Sequence, residues 1–517
     1  MTTVMPPRLA DHFDEVCDVL VIGFGFAGAA AAIEAKDRGL DVLLVEKMDM
    51  PGGISVTAGG GFRIARDKVA AFKYLQATNA GNTPDDVLQA IADGMTEMIP
   101  YFEALVEVNG ARLRLEDRRG SYDFPGYDTF GIIEVESIPG FDAPRDWPHV
   151  QGGLGPNAFK LLLDNVNARD INVSLSTSAL RLITSAAGEV CGAWMKRADG
   201  LRAIKARHGV ILACGGFEAD LEMQRQYWQI GPVRSAAFRG NTGDGIRMAL
   251  DVGADLWHMW HFHGSYGFHH PDPDYPFAIR MKQLPTWTPR VHEAEIKMAW
   301  ILVDRLGQRF TNEYIPYVQD TGHRALAAVD TIELNYSYMP CYSIVDDVGQ
   351  RLYPLGKPNI NDTAVTPYEW SADNEKEVAL GILKRADTIA DLAGEIGCDE
   401  AALQETISRW NHACKTGHDD EFSRPPASMV PIEKPPFLVG EIWPVVSNTQ
   451  GGPVHDAQQR ILNSFGDPVP RLFEAGELGS IWGWLYMSGS NLTECLITGR
   501  TAARELASLE PWEETAG

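Results

Sequence analysis

The sequence predicts an α/β fold in which both ends of the chain build one domain and a second domain is inserted between them. Three observations predict this architecture. A strand, a glycine-rich turn, a helix and a second strand follow one another within residues 17–46. A further buried strand ends in glycines at residues 215–216. Similar glycine-rich turns return after residue 450, behind a central region of different character. The length of 517 residues also exceeds a single core.

The first element is a strand that runs into a glycine turn. Residues 17–22 are apolar and β-prone, and residues 23–28 read Gly-Phe-Gly-Phe-Ala-Gly. The alanine-rich segment that follows predicts a helix ending near Gly39, and residues 41–46 predict a second buried strand closed by a carboxylate. A GxGxxG turn between these elements is typical of a dinucleotide-binding unit.

The residues of this turn have separate physical roles. The first glycine permits a tight turn, the second lets a pyrophosphate approach the backbone, and the third permits close packing of the helix on the strand. The helix N-terminus offers unpaired N–H groups to phosphate, and the acid after the second strand would bind ribose hydroxyls. The cofactor contacts predicted in this element are Gly23, Gly25, Ala27, Gly28, Glu46 and Lys47.

Four later segments have the small residues needed where backbone lies against a flat cofactor. They are the glycine-rich loop 51–61, the strand end at 209–218, the turn 241–245 that opens a helix to residue 253, and the C-terminal segment 472–506, whose last helix begins near residue 490. The cofactor contacts predicted here are Gly53, Ser55, Gly60, Gly61, Ala213, Gly215 and Asp244.

The middle of the chain differs in pattern. The sequence predicts helical structure over 86–109 and 366–416, short strands over 178–185, 190–196 and 201–206, an aromatic stretch of little periodicity over 257–287, a strand over 300–303 and a proline-rich linker over 425–436. We therefore predict a cofactor domain from residues 1–283 and 434–517, with a capping domain over 284–433. The active site is expected at the seam between them.

Composition excludes several classes of partner. The net charge of -25 argues against binding nucleic acid or an anionic membrane. The seven scattered cysteines indicate free thiols in a reducing compartment, and neither a signal core nor a membrane span is evident, which predicts a cytoplasmic protein. The histidines of the aromatic stretch lack the spacing of a zinc site, so no metal is expected. Oligomeric state stays open.

The order of these motifs resembles that of the fumarate-reductase/3-ketosteroid-dehydrogenase superfamily of FAD flavoproteins, and the resemblance covers nearly the whole chain. It is carried by the dinucleotide motif, the loop 52–61, Ala-Cys-Gly-Gly at 213–216, Thr-Gly-Asp-Gly at 242–245, Arg-Phe-Thr-Asn-Glu at 309–313 and the block from Glu474 to Arg500. The resemblance implies a glutathione-reductase-type Rossmann FAD domain and a cap. It also implies that Glu477 and the start of the last helix, Ser490, Asn491 and Leu492, contact the cofactor. The loop 52–61 lacks the histidine found where flavin is covalent, so noncovalent FAD is expected.

Within the superfamily the chain resembles the ketosteroid branch more than the reductases. Where fumarate- and urocanate-type reductases carry an arginine and a histidine, this chain has Tyr486 and Asn448. Residues 312–318 resemble the Asn-Glu-x-x-Pro-Tyr-Val segment of 3-ketosteroid dehydrogenases, which implies that Tyr317 is the catalytic base and Tyr486 the donor to the ketone. The order Tyr-Met-Ser-Gly is closer to the Δ4-(5α) branch, in which a serine equivalent to Ser488 is catalytic. The bond desaturated, Δ1 or Δ4, stays open.

This chemistry requires three groups. A donor must hold the carbonyl oxygen as enol character develops, a base must take the α-proton, and the flavin must accept the β-hydrogen as hydride. We expect an uncharged cavity that takes an apolar ketone, such as a steroid, and passes electrons to an unidentified acceptor. A phenol is a weak base at neutral pH without a partner, and the candidate partners of Tyr317 are Tyr122, Tyr127, Tyr314 and Ser488.

Three other functions compete with desaturation. The chain could reduce an activated double bond, as fumarate or urocanate reductases do, since sequence does not give the direction of electron flow. It could be an NAD(P) dehydrogenase, which the segments 309–313 and 489–492 oppose. It could also bind flavin without catalysis.

Overall fold

The computed structural model describes residues 5–231, 233–285, 297–314 and 317–512. Trp287, at the end of the predicted aromatic stretch, and Ile315 and Pro316, within the tyrosine motif, lie outside the described residues. Within them, two sheets of eight strands each form the body of the molecule. The first sheet contains Glu15–Ile22, Val42–Val45, Asn172–Ser174, Ser178–Thr184, Val190–Arg197, Gly200–Leu212, Arg460–Leu462 and Pro468–Glu474.

The first sheet joins the two ends of the chain. Glu15–Ile22 lies between Val42–Val45 and Gly200–Leu212, and all three are parallel. Pro468–Glu474 pairs in parallel with the other edge of Gly200–Leu212. Val42–Val45 and the second half of Glu15–Ile22 are buried because helices cover the sheet, as in other parallel sheets. The α/β fold is therefore confirmed, with strands from both chain ends in one sheet.

The second sheet is built around one long strand. Phe437–Thr449 pairs with Cys341–Val345 and with Phe262–His269, both antiparallel. The other strands of this sheet are Arg234–Ser235, Ala278–Met281, Ile301–Val303, Gly356–Lys357 and Leu383–Ala386. Three of its strands lie before residue 284 and one after residue 433, so this sheet includes strands from both sides of the predicted domain boundaries, which stay predictions.

Smaller elements connect the two sheets. A three-stranded sheet contains Gly61–Ala65, Arg112–Asp117 and Phe130–Ser137, and two-stranded pairs join Val150–Gln151 to Ile360–Asn361, Leu256–Trp257 to Gly452–Pro453, and Val329–Asp330 to Asn335–Tyr336. The α-helices are Phe26–Asp37, Lys68–Asn79, Asp85–Thr96, Met98–Val106, Ala143–Asp146, Gly155–Ala168, Leu221–Tyr227, Asp244–Asp251, Val318–Thr321, Asp347–Gln350, Glu375–Leu380, Ile389–Ile396, Glu400–Thr416 and Ser490–Ala507. Short 3-10 turns span Ser55–Thr57, Arg324–Ala327, Pro426–Ser428 and Gly476–Gly479.

Three sequence predictions were wrong in detail. The strands predicted at 201–206 and 209–214 are one strand, Gly200–Leu212, because its pairing with Glu15–Ile22 continues through both segments. The aromatic stretch contains the strand Phe262–His269, which shows no alternation because seven of its eight residues are buried. The predicted helical region 366–416 includes the strand Leu383–Ala386, which pairs with Phe437–Thr449.

Among the described residues, no helix is both long enough and apolar enough to span a bilayer.

Candidate active site

The glycine turn after the first strand is as close-packed as the sequence predicts. Gly23 has a φ of +107°, and a Cβ there would lie 2.2 Å from the carbonyl oxygen of Ala213. A Cβ on Gly28 would lie 1.8 Å from the carbonyl oxygen of Gly23. The first turn of the helix keeps its N–H groups at the surface of a cleft, where that of Phe26 donates to Ser55 Oγ at 3.1 Å. Only glycine fits both positions, and the turn forms one wall of the cleft.

This cleft has an empty volume of about 740 Å³ and runs along the carboxyl ends of the parallel strands. Glu46 lies in its wall and accepts N–H groups from Phe24 and Met48 at 3.0 and 2.9 Å. Lys47 donates to Asp244 at 2.7 Å and thereby joins two cofactor segments. The predicted residues that line this cleft are Gly23, Gly25, Ala27, Glu46, Lys47, Gly53, Ser55, Ala213, Gly215, Asp244 and Glu477.

Buried carboxyl groups lie beneath the cleft. Glu477 accepts the N–H of Thr449 at 2.9 Å, and burial raises its pKa to about 8. Glu218 is buried beside it, and its Oε2 has no hydrogen-bond partner within the described part of the chain. Oxygen acceptors at the floor of a glycine-lined cleft fit the hydroxyl groups of a dinucleotide. The residues present therefore fit the predicted cofactor.

A second cavity adjoins the cleft and shares Ser55, Glu477 and Cys495 with it. Its empty volume is about 1200 Å³, and it lies between the loop after Gly53, the second sheet and the start of the last helix. The predicted residues that line it are Ser55, Gly61, Tyr317, Glu477, Tyr486, Ser488, Asn491 and Leu492. The structure thus brings the three predicted catalytic residues and part of the predicted cofactor set to one cavity.

Three predicted cofactor residues line neither space. Gly28 packs against the turn, and Gly60 packs against the backbone of Leu154, which a Cβ would approach to 2.4 Å. Ser490 begins the last helix, its N–H donates to the carbonyl of Met487 at 3.0 Å, and its side chain is buried. Their positions indicate packing roles.

The Tyr486 hydroxyl is fixed by the backbone that follows it. The Gly489 N–H donates to the Tyr486 hydroxyl oxygen at 3.0 Å. The Tyr486 N–H donates to Asp320 at 3.0 Å, which fixes the segment before the helix. Gly489 has a φ of +82°, and a Cβ there would approach the Gly61 carbonyl oxygen to 2.5 Å, so the turn is specific to glycine. The Gly489 N–H is thus taken up by the phenol oxygen, and the Tyr486 O–H is the donor that a ketone oxygen in the cavity could accept.

Tyr317 is buried in the same cavity, and its hydroxyl forms a hydrogen bond with Ser488. Burial raises the pKa of Tyr317 to about 12, while Ser488 and the cations Arg63 and Arg280 lower it. Of the four candidate partners, Ser488 makes this bond. Tyr314 donates to the carbonyl of Pro285 at 2.9 Å instead.

The other two candidates also have other neighbours. Tyr122 contacts the Tyr317 ring edge-on at 6.3 Å between centroids, and its hydroxyl donates to Asp320 at 2.5 Å. The Tyr127 ring lies 5.9 Å from the guanidinium of Arg119.

Two buried charges beside the tyrosines were missed by the sequence analysis. The Arg63 guanidinium is 1 % exposed and donates to the carbonyls of Ser488 at 2.5 Å and of Arg119 at 2.9 Å. Asp320 is fully buried, and hydrogen bonding and charge from His261 hold its pKa well below the usual range despite burial. Nothing in the spacing of these residues distinguishes them from surface charges, because tertiary packing alone brings them to the cavity.

His263 also lines the cavity and was treated only as a possible metal ligand. Its ring lies 4.3 Å from that of Tyr486 and 6.2 Å from that of Tyr317, between centroids. Burial lowers its pKa to about 3, so the imidazole is neutral. It pairs across the sheet with Asn448, the position where the reductases carry a histidine. Among the residues described, no group of histidine, cysteine and acidic side chains could hold a metal ion.

The expectation of an uncharged cavity was wrong. Arg280 and Lys357 line the same space as the tyrosines. The expectation rested on the absence of cations between residues 481 and 494, but these two side chains come from short strands of the second sheet, at 278–281 and 356–357. The residues next to Arg280 and Lys357 in the sequence carry no signal of a binding site. Only the strand pairing in the second sheet shows that the two cations lie together.

Comparison with known proteins agrees with this geometry. A family model described as "FAD binding domain" matches residues 18–492. The digoxin reductase of Eggerthella lenta is 27% identical over 96% of this chain and 88% of its own length. The 4-oxocyclohex-2-ene-1-carboxylate 5-dehydrogenase of Sinomonas cyclohexanicum is 26% identical over 95% of this chain and 94% of its own.

A solved structure shares the fold. The 3-ketosteroid Δ1-dehydrogenase from Sterolibacterium denitrificans superposes with a TM-score of 0.78 at 24% identity, covering 96% of this chain and all of that one. The predicted superfamily, the α/β fold and the FAD cofactor are therefore confirmed, whereas noncovalent attachment stays a prediction. The chain belongs to the FAD binding domain family and is an FAD-dependent oxidoreductase.

Proposed function

We propose that this enzyme introduces a carbon–carbon double bond next to the carbonyl of a ring ketone, as in a 3-ketosteroid or another cyclic ketone. One observation carries the proposal: the Tyr486 hydroxyl, whose oxygen accepts the Gly489 N–H at 3.0 Å, lies in the cavity where Tyr317 bonds Ser488. A donor for an oxygen and a phenol for a proton are the two protein groups that this reaction needs.

Each group has a distinct task. Tyr486 donates its O–H to the ketone oxygen, which gains negative charge as the α-proton leaves, and the Gly489 N–H orients that phenol by donating to its oxygen. Tyr317, as phenolate, takes that proton from the α-carbon, and the Ser488 hydroxyl and Arg63 stabilise the phenolate. FAD, held by the glycine-lined cleft, supplies the acceptor for the hydride that leaves the β-carbon. The electron pair of the broken α-C–H bond then forms the double bond.

A second candidate is the reverse reaction, the reduction of an activated double bond. The observation that favours it is the burial of Tyr317, which raises its pKa to about 12 and keeps the phenol protonated at neutral pH. A protonated phenol is the correct state for giving a proton to the α-carbon of an unsaturated ketone. The digoxin reductase relative acts in this direction by its name.

Anaerobic flavin spectroscopy tests both directions with one preparation. Saturated 3-ketosteroids and cyclohexanones are mixed with the oxidised enzyme, and the matching enones with the dithionite-reduced enzyme. Desaturation predicts bleaching of the flavin by the ketone alone, and product analysis then distinguishes the Δ1 from the Δ4 product. Reduction predicts reoxidation by the enone without bleaching by the ketone. A flavin unaffected by both sets of compounds would contradict both candidates.

The variants Tyr317→Phe and Tyr486→Phe test the catalytic roles of the two tyrosines. Each variant should lower the flavin reduction rate by about a hundredfold or more, the usual effect of removing a general base or an oxyanion donor. Tyr336→Phe is the matched control, because Tyr336 lies on a separate hairpin and its hydroxyl donates to the carbonyl of Gln229. An unchanged flavin reduction rate in Tyr317→Phe would exclude Tyr317 as the base.

A further inference from the structure

The geometry points to an anion subsite in the substrate cavity: we propose that Arg280 and Lys357 bind a carboxylate carried by the substrate, which makes the substrate an oxo acid rather than an apolar ketone. The inference rests on the proposed function for the ketone, while the subsite itself is argued from the two cations.

The two cations are direct neighbours in the second sheet. Arg280 and Lys357 are opposite each other in the antiparallel pair Ala278–Met281 with Gly356–Lys357. Both side chains line the cavity that holds Tyr317 and Tyr486. Like charges directly across a sheet repel, so this pair costs stability unless an anion lies between or beside the charges.

The protein supplies neutral partners to this pair. Arg280 donates to the Ser447 hydroxyl at 2.8 Å, and Lys357 donates to Gln283 Oε1 at 3.4 Å. Within the described ranges, neither cation forms an ion pair with a carboxylate. Glu134, which also lines the cavity, already pairs with Arg114. Two partly buried cations without a carboxylate partner are typical of a site completed by an anionic ligand.

Lys357 lies in a buried, positively charged environment. Burial, then the charges of Arg280 and Lys282, lower the pKa of Lys357 to about 8. A carboxylate ligand would remove this repulsion and keep the ammonium charged.

The position of the cations defines the substrate class. Arg280 is close enough to Tyr317 for each to shift the pKa of the other. A substrate whose ketone is held at Tyr486 would therefore find the two cations along the wall of the same cavity. The cavity of about 1200 Å³ accepts a ring that carries both groups. The chemical class is a cyclic ketone with a carboxylate substituent.

A charge-matched ligand pair tests the subsite. The FAD-loaded enzyme is titrated anaerobically with 4-oxocyclohexanecarboxylate and with its methyl ester, and binding is read from the perturbation of the flavin absorption spectrum. The acid should bind at least about tenfold more tightly than the ester, because charge-assisted hydrogen bonds exceed neutral ones. Lys357→Met and Arg280→Met should each remove this preference, while Arg280→Lys should retain part of it.

The control variant is Lys282→Met, which removes the same charge from a side chain that lies over the Tyr353 ring, outside the cavity. It should leave the acid-to-ester ratio within about twofold of the parent. Equal binding of acid and ester by the parent enzyme would overturn the proposal, as would an unchanged ratio in both Lys357→Met and Arg280→Met.

Binding and reduction separate the two proposals. Preferential binding of the acid without bleaching by any ketone would support the anion subsite and contradict desaturation. Bleaching by acid and ester at equal affinity would support desaturation and contradict the subsite. If neither ligand perturbs the spectrum at millimolar concentration, the proposed subsite is wrong.

Discussion

At the scale of single residues, the central question is how a buried phenol becomes a base. Tyr317 is 3 % exposed, and burial outweighs the help of Ser488 and Arg63, so its pKa is raised to about 12. Within the described part of the chain, Arg63 nevertheless has no carboxylate partner and donates to backbone carbonyls, which leaves its charge available to a phenolate. The arrangement holds the phenol neutral at rest and, in the proposed reaction, would stabilise the phenolate during proton transfer.

The titration of Tyr317 gives a testable pH dependence. Because the pKa of Tyr317 is raised to about 12, its phenolate fraction at neutral pH is small and grows about tenfold per pH unit. The rate constant for flavin reduction by a ketone should therefore rise about tenfold per unit between pH 7 and 9. Stopped-flow reduction across this range measures it, and Tyr317→Phe should lose the slope. A parent rate that is flat from pH 7 to 9 would contradict this role.

At the scale of elements, we expect the glycine turn to govern FAD binding. A Cβ at position 28 would lie 1.8 Å from the carbonyl oxygen of Gly23, and this contact is backbone, which cannot move aside as a side chain does. Gly28→Val must then separate the helix Phe26–Asp37 from the turn. A strain of about 3 kcal/mol corresponds to about a hundredfold loss of FAD affinity.

The FAD-to-protein ratio of the purified variant, read from visible and ultraviolet absorption, checks this prediction. Gly394→Ala is the matched control, because it lies in the helix Ile389–Ile396 with no atom within 4 Å of the added Cβ. Gly394→Ala should retain full FAD. A Gly28→Val protein that retains as much would show that the helix can shift without cost.

A second element anchors the segment that leads to Tyr317. The Arg309 guanidinium donates to Glu313 at 3.0 Å and to Asp419 at 3.2 Å, and Arg424 donates to Glu313 at 3.3 Å. Glu313 in turn accepts the N–H of Leu302 at 3.1 Å. The sequence motif that carried the family resemblance is thus a buried ion-pair network, four residues before the proposed base.

Removing Arg309 should be costly because it leaves buried carboxylates without their main partner. Arg309→Met is expected to lower the free energy of unfolding by about 3–5 kcal/mol, measured by urea unfolding of the FAD-loaded protein. The exposed pair of Arg385 and Glu375 provides the control, since Arg385→Met should cost at most about 1 kcal/mol. Equal losses in the two variants would mean that the buried network adds no stability.

At the scale of the whole molecule, sequence reasoning could predict what local pattern determines. The order strand–glycine turn–helix–strand and the return of glycines near residue 450 predicted a sheet built from both chain ends, because each is a local signal with a known backbone requirement. The charged cavity wall could not be predicted. Arg280 and Lys357 are 77 positions apart and become neighbours only through strand pairing, which neither residue's surroundings in the sequence specify.

The same limit applies to the continuous strand Gly200–Leu212. The sequence around Arg207 and His208 interrupts the apolar pattern and suggested two strands. The structure instead joins them because the partner strand Glu15–Ile22 continues alongside, with a register shift between Cys17 and Val19. Tertiary pairing overrides a local break of this kind.

The buried carboxyl groups beneath the cofactor cleft should set how the stability of the whole molecule depends on pH. Burial raises the pKa of Glu494 from 4.5 to about 7 and that of Glu477 from 4.5 to about 8. At these two sites the folded protein therefore holds protons that the unfolded chain releases, so their contribution to stability falls as pH rises from about 4.5 towards 7 and 8. Buried histidines with lowered pKa values, such as His263, contribute a slope of the opposite sign below about pH 6.5. Asp320 and Glu313 have lowered pKa values and are already ionised in both states across this range, so they do not alter the slope.

Each raised group should contribute a slope of about 1.4 kcal/mol per pH unit. Urea unfolding of the FAD-loaded protein at pH 5, 6 and 7, at one fixed FAD concentration, measures the total slope. Relative to the parent, Glu494→Gln should shift the slope upward by about one proton's contribution, whatever its effect on stability at a single pH. Glu103→Gln, on the exposed face of the helix Met98–Val106, should leave the slope unchanged. If Glu494→Gln also leaves the slope unchanged, the Glu494 carboxyl is ionised in the folded state over this range, and the prediction is wrong.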